Sequence, residues 1–414
     1  MQKQKPKNDF APRYRFGWRT RIVLGIAIIL ITGISFWVTR PSDPFAHLRA
    51  TSAEDRDRLA YITNDNQLRI YDPYDHTDTL LAENVHHFII APTGQIAYTL
   101  KGVDDNIYVM DSYAPSEQPI MIPNENSLYM DYWSPDGQYL IFHPPLNEEN
   151  HVLFLWDGDE IRNILSPEMT FPLHIRSFFA WNYDGILFLS FGSGDDTQLF
   201  TWDGEVFMPL DLAIEGFIVH VEWSENGQLL IVTSTATDTA LDTNTIYVWD
   251  GDDNLVSVAS GWYPFAVRWV DEGTRIAFKM EVNTPYYSHQ YVIWDVTTDT
   301  IVRRIPLTDD FNVAGRGGPS SAYLLSEDLI VSTALAGGVS VYVDIYDSNG
   351  EHTFFTVAGS FTWSDDGFLA YCQNIADVGW NLALWDGTET IYVATSHNRT
   401  ISWQNGGFLN CSSG

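Results

Sequence analysis

The strongest constraint on this chain is a five-residue pattern that returns eight times. An apolar run ends in an aromatic or bulky apolar residue followed by aspartate: "LRIYD" ends at Asp72, "IYVMD" at Asp111, "LFLWD" at Asp157, "LFTWD" at Asp203, "IYVWD" at Asp250, "YVIWD" at Asp295, "VDIYD" at Asp347 and "LALWD" at Asp386. The gaps between these aspartates are 39, 46, 46, 47, 45, 52 and 39 residues. A period of this size marks one supersecondary unit per repeat. Such a unit cannot bury its apolar face alone, so neighbours must stack.

A second motif alternates with the first. It begins with tryptophan, runs through a turn and ends in glycine and an apolar run: "YWSPDGQYLIF" spans 132–142, with echoes starting at Trp181, Trp223, Trp269, Trp363 and Trp403. The glycines are Gly137, Gly185, Gly227, Gly273, Gly367 and Gly407. Pro second, Asp third and Gly fourth suit a type I turn closed by a left-handed glycine. Asp-Gly, favoured in tight hairpins, follows the first motif at Asp157, Asp203, Asp250 and Asp386. Each unit therefore reads as four antiparallel strands: a, ending at the tryptophan; b, after the glycine; c, carrying the aromatic-Asp motif; and d. Both the repeated tryptophan–glycine pairs and the strand-c aspartates are assigned to scaffold.

This period fits the blades of an all-β propeller. The first unit, from about residue 58, has b, c and d but no a; the last segment, "RTISWQNGGFL", has a tryptophan strand with no c or d. Joining the two closes the ring and removes open sheet edges. The expected fold is eight four-stranded blades over 55–414. The unit around Leu324–Asp328 lacks both tryptophan and glycine, so seven blades with one irregular insertion also fit. The "WSPDG" turn followed by "LIF" resembles the TolB-type, WD-repeat-like propellers over about 55–414. The resemblance implies an interaction platform or a gating domain of a serine peptidase. No Gly-x-Ser-x-Gly nucleophile elbow occurs in the chain.

The N-terminus reads differently. Residues 22–39 are uncharged and apolar, long enough for a membrane helix, and a basic tail, 1–21, precedes them. The positive-inside rule puts that tail in the cytoplasm and everything after a 40–54 linker outside, at the cell surface or in the periplasm. A retained single-pass signal anchor fits better than a cleaved leader, because the segment ends in bulky residues and proline. Residues 1–40 hold eight of the 22 basic residues and one of the 54 acidic ones. The remainder carries 14 basic against 53 acidic residues, a net charge of −39. That surface repels nucleic-acid phosphates and suits cations or a basic partner. The two cysteines, Cys372 and Cys411, form no zinc pattern; two buried free thiols are the plainer reading and a bridge between them the other.

Candidate binding residues are sought where the repeat breaks, in the loops joining b to c and d to the next a. Those loops share one face of a propeller and suit binding. The b–c segments include "HPPLNEEN" from His143, with Glu148 and Glu149; "TSTATDTALDTNT" from Thr233; "KMEVNTPYYSHQ" from Lys279, with Tyr286, Tyr287 and His289; and "QNIADVGWN" from Gln373, with Trp380. Arg316 lies in a d–a loop. The aromatic residues could stack on a sugar or hold a peptide. Acid clusters at 103–106, 193–196 and 251–254 could bind calcium but lack its helix-loop-helix spacing, and solvated hairpin tips explain them; no cofactor is expected. His86 and His87 are adjacent in a strand and point to opposite faces, which disfavours a shared metal. The leading expectation is a membrane-anchored, non-catalytic propeller that binds a protein or glycan partner. The alternative is an enzyme acting on glycans or lactones at the channel mouth.

Overall fold

The computed structural model describes residues 56–102, 106–124, 128–143, 153–165, 178–191, 197–237, 240–251, 254–262, 265–270, 273–282, 288–307, 321–326, 329–336, 340–346, 352–358, 361–364, 366–375, 379–395, 400–404 and 408–410. The proposed anchor, 22–39, lies outside them. Among the described residues no helix is long and apolar enough to cross a membrane.

The described chain is all-β. Its strands form eight antiparallel sheets, seven of four strands and one of five. Within each four-stranded sheet the strands pair in chain order, a to d, as in a propeller blade. The unit lacking tryptophan and glycine also forms such a sheet, from Ser321–Ser326, Leu329–Ala336, Ser340–Tyr346 and His352–Ala358.

The core lies between consecutive sheets. Ala97, Ile107 and Val109 of the second sheet bury against Trp133, Leu140, Phe142 and Trp156 of the third. Leu230 and Val248 of the fifth do the same with Trp269, Phe278 and Trp294 of the sixth. The eighth sheet packs on the first, with Phe368, Cys372 and Leu384 against Leu59, Tyr61 and Trp403. The strand b "LFLSF" at Leu187–Phe191 is buried along its whole length, packed between neighbouring sheets.

The tryptophan repeat has a packing explanation. Trp133 lies opposite Leu140, which lies opposite Trp156 on the next strand but one. Facing residues in antiparallel strands share one side of the sheet, so a Trp–Leu–Trp row forms. Its two indoles meet edge to face, 6.1 Å apart at 74°. The row recurs as Trp181–Leu187–Trp202 and Trp363–Leu369–Trp385, with ring separations of 5.9 and 6.3 Å. Three strand-a indoles also tie a sheet to the one before it. The Nε1 groups of Trp223, Trp269 and Trp403 donate to the carbonyls of Ala180, Glu222 and Thr362, at 2.9, 2.9 and 3.3 Å. Each acceptor immediately precedes the strand-a tryptophan of its own sheet, so the link is itself a repeat.

Both turns follow from their residues. The Gly137 amide donates to Ser134 O at 2.9 Å with φ at 68°, a left-handed position open to glycine, so Ser134-Pro135-Asp136-Gly137 is a type I turn. The c–d turn departs from the expected Asp-Gly pair at its centre. Trp156 pairs with Ile161, so Gly158 and Asp159 occupy the two central positions and Asp157 stands just before them. Gly158, with φ at 100°, takes the first central place, which a type II′ turn reserves for glycine. Asp157 Oδ1 accepts the amides of Asp159 and Glu160, and those hydrogen bonds hold its carboxyl below the usual range. Asp203 and Asp386 cap their turns in the same way, which accounts for the recurring aspartate.

The first sheet is built from both ends of the described chain. Leu59–Ile62 pairs with Leu68–Asp72 on one side and with Thr400–Trp403 on the other. The C-terminal strand supplies the missing strand a, as the repeat requires. A fifth strand, Phe408–Asn410, then folds back on Thr400–Trp403 at the inner edge, which a four-stranded blade does not anticipate. Polar contacts clasp this seam. Gln404 Nε2 donates to Pro92 O at 2.5 Å, and Arg58, buried, lies 3.3 Å over the Tyr113 ring with its guanidinium donating to Ser112 Oγ at 2.6 Å. Cys372 is disulfide-bonded. That overturns the reading of two free thiols; the one other cysteine in the sequence, Cys411, lies outside the described residues.

Candidate functional site

The b–c connections differ from the loops expected. In the fifth sheet strand b runs to Thr237 and strand c starts at Ala240, with Thr237 paired to Ala240. The sixth sheet pairs Val282 with Ser288, and the eighth pairs Ile375 with Gly379. Much of the polar sequence there is therefore ladder. His289 therefore sits within a strand, opposite Glu281 and Leu307, and Trp380 sits opposite Asn374. Their side chains, and Glu148, Glu149, Tyr286, Tyr287 and Arg316, lie outside the described residues.

What the described structure does assemble at this end is a cluster on the third sheet. Strand a is Tyr129–Trp133 and strand b is Leu140–His143. Tyr129 faces His143 at the end remote from the a–b turn, on the side of the b–c and d–a connections. Register shifts between Met130 and Tyr132, which leaves Asp131 as the extra residue of a bulge. Bulges re-aim side chains, and this one directs the Asp131 carboxylate to His143 Nδ1 at 2.6 Å. The imidazole stacks on the Tyr129 ring, 5.4 Å between centroids at 24°. Tyr129 and Tyr132 are 57% and 53% exposed, although both belong to an inner strand.

The neighbouring sheet adds to the cluster. Its strand a, Val85–Ile90, carries a bulge at His86, which is exposed, while His87 is half-buried. Burial pushes the His87 imidazole down, helped by His86 and opposed by the Asp131 carboxylate. A second histidine–carboxylate pair lies on strand a of the fifth sheet, Phe217–Trp223, where His220 Nε2 is 3.3 Å from Glu222 Oε2.

A carboxylate holding one imidazole nitrogen fixes the ring and leaves the other nitrogen available. Beside an open tyrosine face, that arrangement offers an aromatic platform with an acceptor at its edge. Among the described residues no group of three or more His, Cys, Asp and Glu could hold a metal ion. Sequence reasoning named His143 only as the start of a loop. The signal it passed over was Asp131, the one acid in "YMDYW", twelve residues before that histidine.

No family model and no curated protein matches the chain. Solved structures do. A eukaryotic initiation factor aligns at 13% identity over 86% of this chain and 92% of that one, with a TM-score of 0.50. Porphyromonas gingivalis dipeptidyl peptidase 4 aligns at 11% identity and a TM-score of 0.56, over 84% of this chain but only 59% of that one. TolB from Acinetobacter baumannii aligns at 12% identity over 70% of this chain and 69% of that one, with a TM-score of 0.34, too low to carry an argument. The first two likenesses establish the β-propeller fold and nothing further.

Proposed function

We propose that the chain is an eight-bladed propeller, anchored through residues 22–39 and held outside the cytoplasm, that binds a partner on its loop face without catalysis of its own. The observation that carries this reading is the disulfide at Cys372, since structural disulfides persist in oxidising compartments and are rare in the cytosol. The basic tail before the apolar segment agrees with that orientation. The platform role rests on a scaffold whose repeats serve packing, with two exposed tyrosines, Tyr129 and Tyr132, on strand a of the third sheet.

Lysine placement gives a direct test. Lys3, Lys5 and Lys7 precede the apolar segment, and Lys101, exposed, lies on the propeller. An impermeant amine reagent applied to intact spheroplasts should label Lys101 and spare the three N-terminal lysines until the membrane is opened. Labelling of Lys101 only after lysis rejects the orientation.

A second reading has its own observation. The 2.6 Å Asp131–His143 contact orients an imidazole as a general base would be oriented, which favours an enzyme at the inner edge of the third sheet. Turnover in a glycoside and lactone screen, lost in His143→Ala, would select this reading over the first.

A further inference from the structure

The charge of the propeller and the chemistry of the third sheet converge on one class of partner. Two of this chain's own arginines are held over a tyrosine face within reach of carboxylates. Arg56 lies 4.7 Å from the Tyr74 ring centroid and donates to Asp75 at 2.9 Å, so a tyrosine face and an adjacent carboxylate together hold one cation. Arg58 lies over Tyr113 within the field of Asp72 and Asp111. Tyr129 and Asp131 present the same two groups, two residues apart, with the tyrosine more than half exposed. His143 packs on one side of that ring and steadies the Asp131 carboxylate, which keeps 19% of its side-chain surface open.

We propose that Tyr129, Asp131 and His143 form a docking site for a lysine or arginine side chain of a basic polypeptide partner. This rests on the loop-face platform reading and names the partner's chemistry. The cation lies on the free face of Tyr129, where the ring quadrupole attracts it, and Asp131 supplies the counter-charge. A net charge of −39 beyond residue 40 raises the local concentration of such a partner and speeds its encounter, an effect that weakens with salt. Anionic ligands are repelled by the same field.

The test uses the full chain in detergent micelles and three fluorescent probes: a decapeptide alternating arginine and glycine, its glutamate counterpart, and a neutral β-linked tetrasaccharide. The arginine peptide should bind, the glutamate peptide should not, and binding should weaken as salt rises. Tyr129→Ala and Asp131→Asn should each weaken binding at least tenfold with melting temperature unchanged. Asp159→Asn, at an exposed hairpin tip of the same sheet, should change it less than twofold. Tyr129→Ala serves as the decisive variant, because removing a side chain this exposed leaves folding intact. Equal losses in Asp131→Asn and Asp159→Asn would overturn the site in favour of diffuse charge. Binding of the tetrasaccharide in place of the arginine peptide would overturn the partner class. Arginine-peptide binding that ignores Tyr129→Ala and Asp131→Asn would overturn the site yet leave the platform reading standing. Labelling of Lys101 only after lysis would reject the orientation without touching the docking result.

Discussion

Deleting residues 396–414 should abolish cooperative folding of the propeller. The deletion removes the strand Thr400–Trp403, which lies between Leu59–Ile62 and the fifth strand of the first sheet. Leu59, Ala60, Tyr61 and Ile62 have no exposed surface in the closed protein, and the deletion opens their edge to water. Trp403 and Ile401 leave with the strand, both buried in the interface between the eighth and first sheets. Truncating a single buried tryptophan typically costs about 3–5 kcal/mol. The hydrogen bonds of Trp403 to Thr362 and of Gln404 to Pro92 and Arg58 are lost as well. The total approaches the ~5–15 kcal/mol that holds a typical protein folded. Chemical denaturation followed by tryptophan fluorescence should show one sharp transition for the intact chain and a broad, sloping one for the deletion. A deletion that unfolds as sharply as the intact chain, at the same denaturant concentration, would mean that the first sheet does not close through the C-terminal strand.

Removing the disulfide should destabilise the propeller about as much as truncating a large buried side chain. A bridge from Cys372 to Cys411 closes a loop of about 40 residues, for which the chain-entropy relation gives about 4 kcal/mol. Cys372 lies in the cluster that joins the eighth sheet to the first, a seam already closed by pairing and packing. With an unfolding entropy of roughly 2.1 cal/mol/K per residue over the propeller, the loss should lower the melting temperature by about 5 °C. Cys411→Ser, which avoids placing a hydroxyl in the buried Cys372 position, is the cleaner variant. Calorimetry of oxidised, reduced and substituted protein should give the last two the same lowered midpoint. Identical melting of all three forms would show that the bridge does not constrain the unfolded chain.

The parts of this fold legible in the sequence are those in which one local rule recurs. Gly137 needs a left-handed φ wherever its turn occurs, and Asp157 caps its turn with its own side chain, so both announce themselves within a few residues. The tryptophans recur because each completes a row across three strands of its own sheet. What the sequence conceals depends on register or on long separation. The segment from Thr233 reads as a loop because it is polar, yet Thr235 pairs with Thr243, and Thr233, Ser234 and Asn244 are buried polar residues, so hydropathy alternation does not mark the ladder. The Asp131–His143 pair depends on a bulge that shifts strand a by one residue, and bulges leave little mark in a single sequence. The cysteine pairing is likewise invisible to spacing, since it is set by which sheets the ring brings together. The fifth strand follows a glycine-containing motif like those that open a strand b, but it folds to the inner edge because Leu59–Ile62 already occupies the outer side of strand a.

The central claim is a division of labour, with the repeated residues forming scaffold and the unrepeated inner-strand cluster forming the site. Trp223→Phe removes an inter-sheet hydrogen bond to Ala180 and leaves the third sheet untouched, whereas Asp131→Asn leaves the tryptophan rows intact. The most direct measurement is a titration of the arginine–glycine peptide against these two variants, side by side with the unaltered full chain. The division predicts that Trp223→Phe binds within twofold of the unaltered chain and that Asp131→Asn loses at least tenfold. An equal loss of affinity in Trp223→Phe, or full affinity in Asp131→Asn, would contradict it.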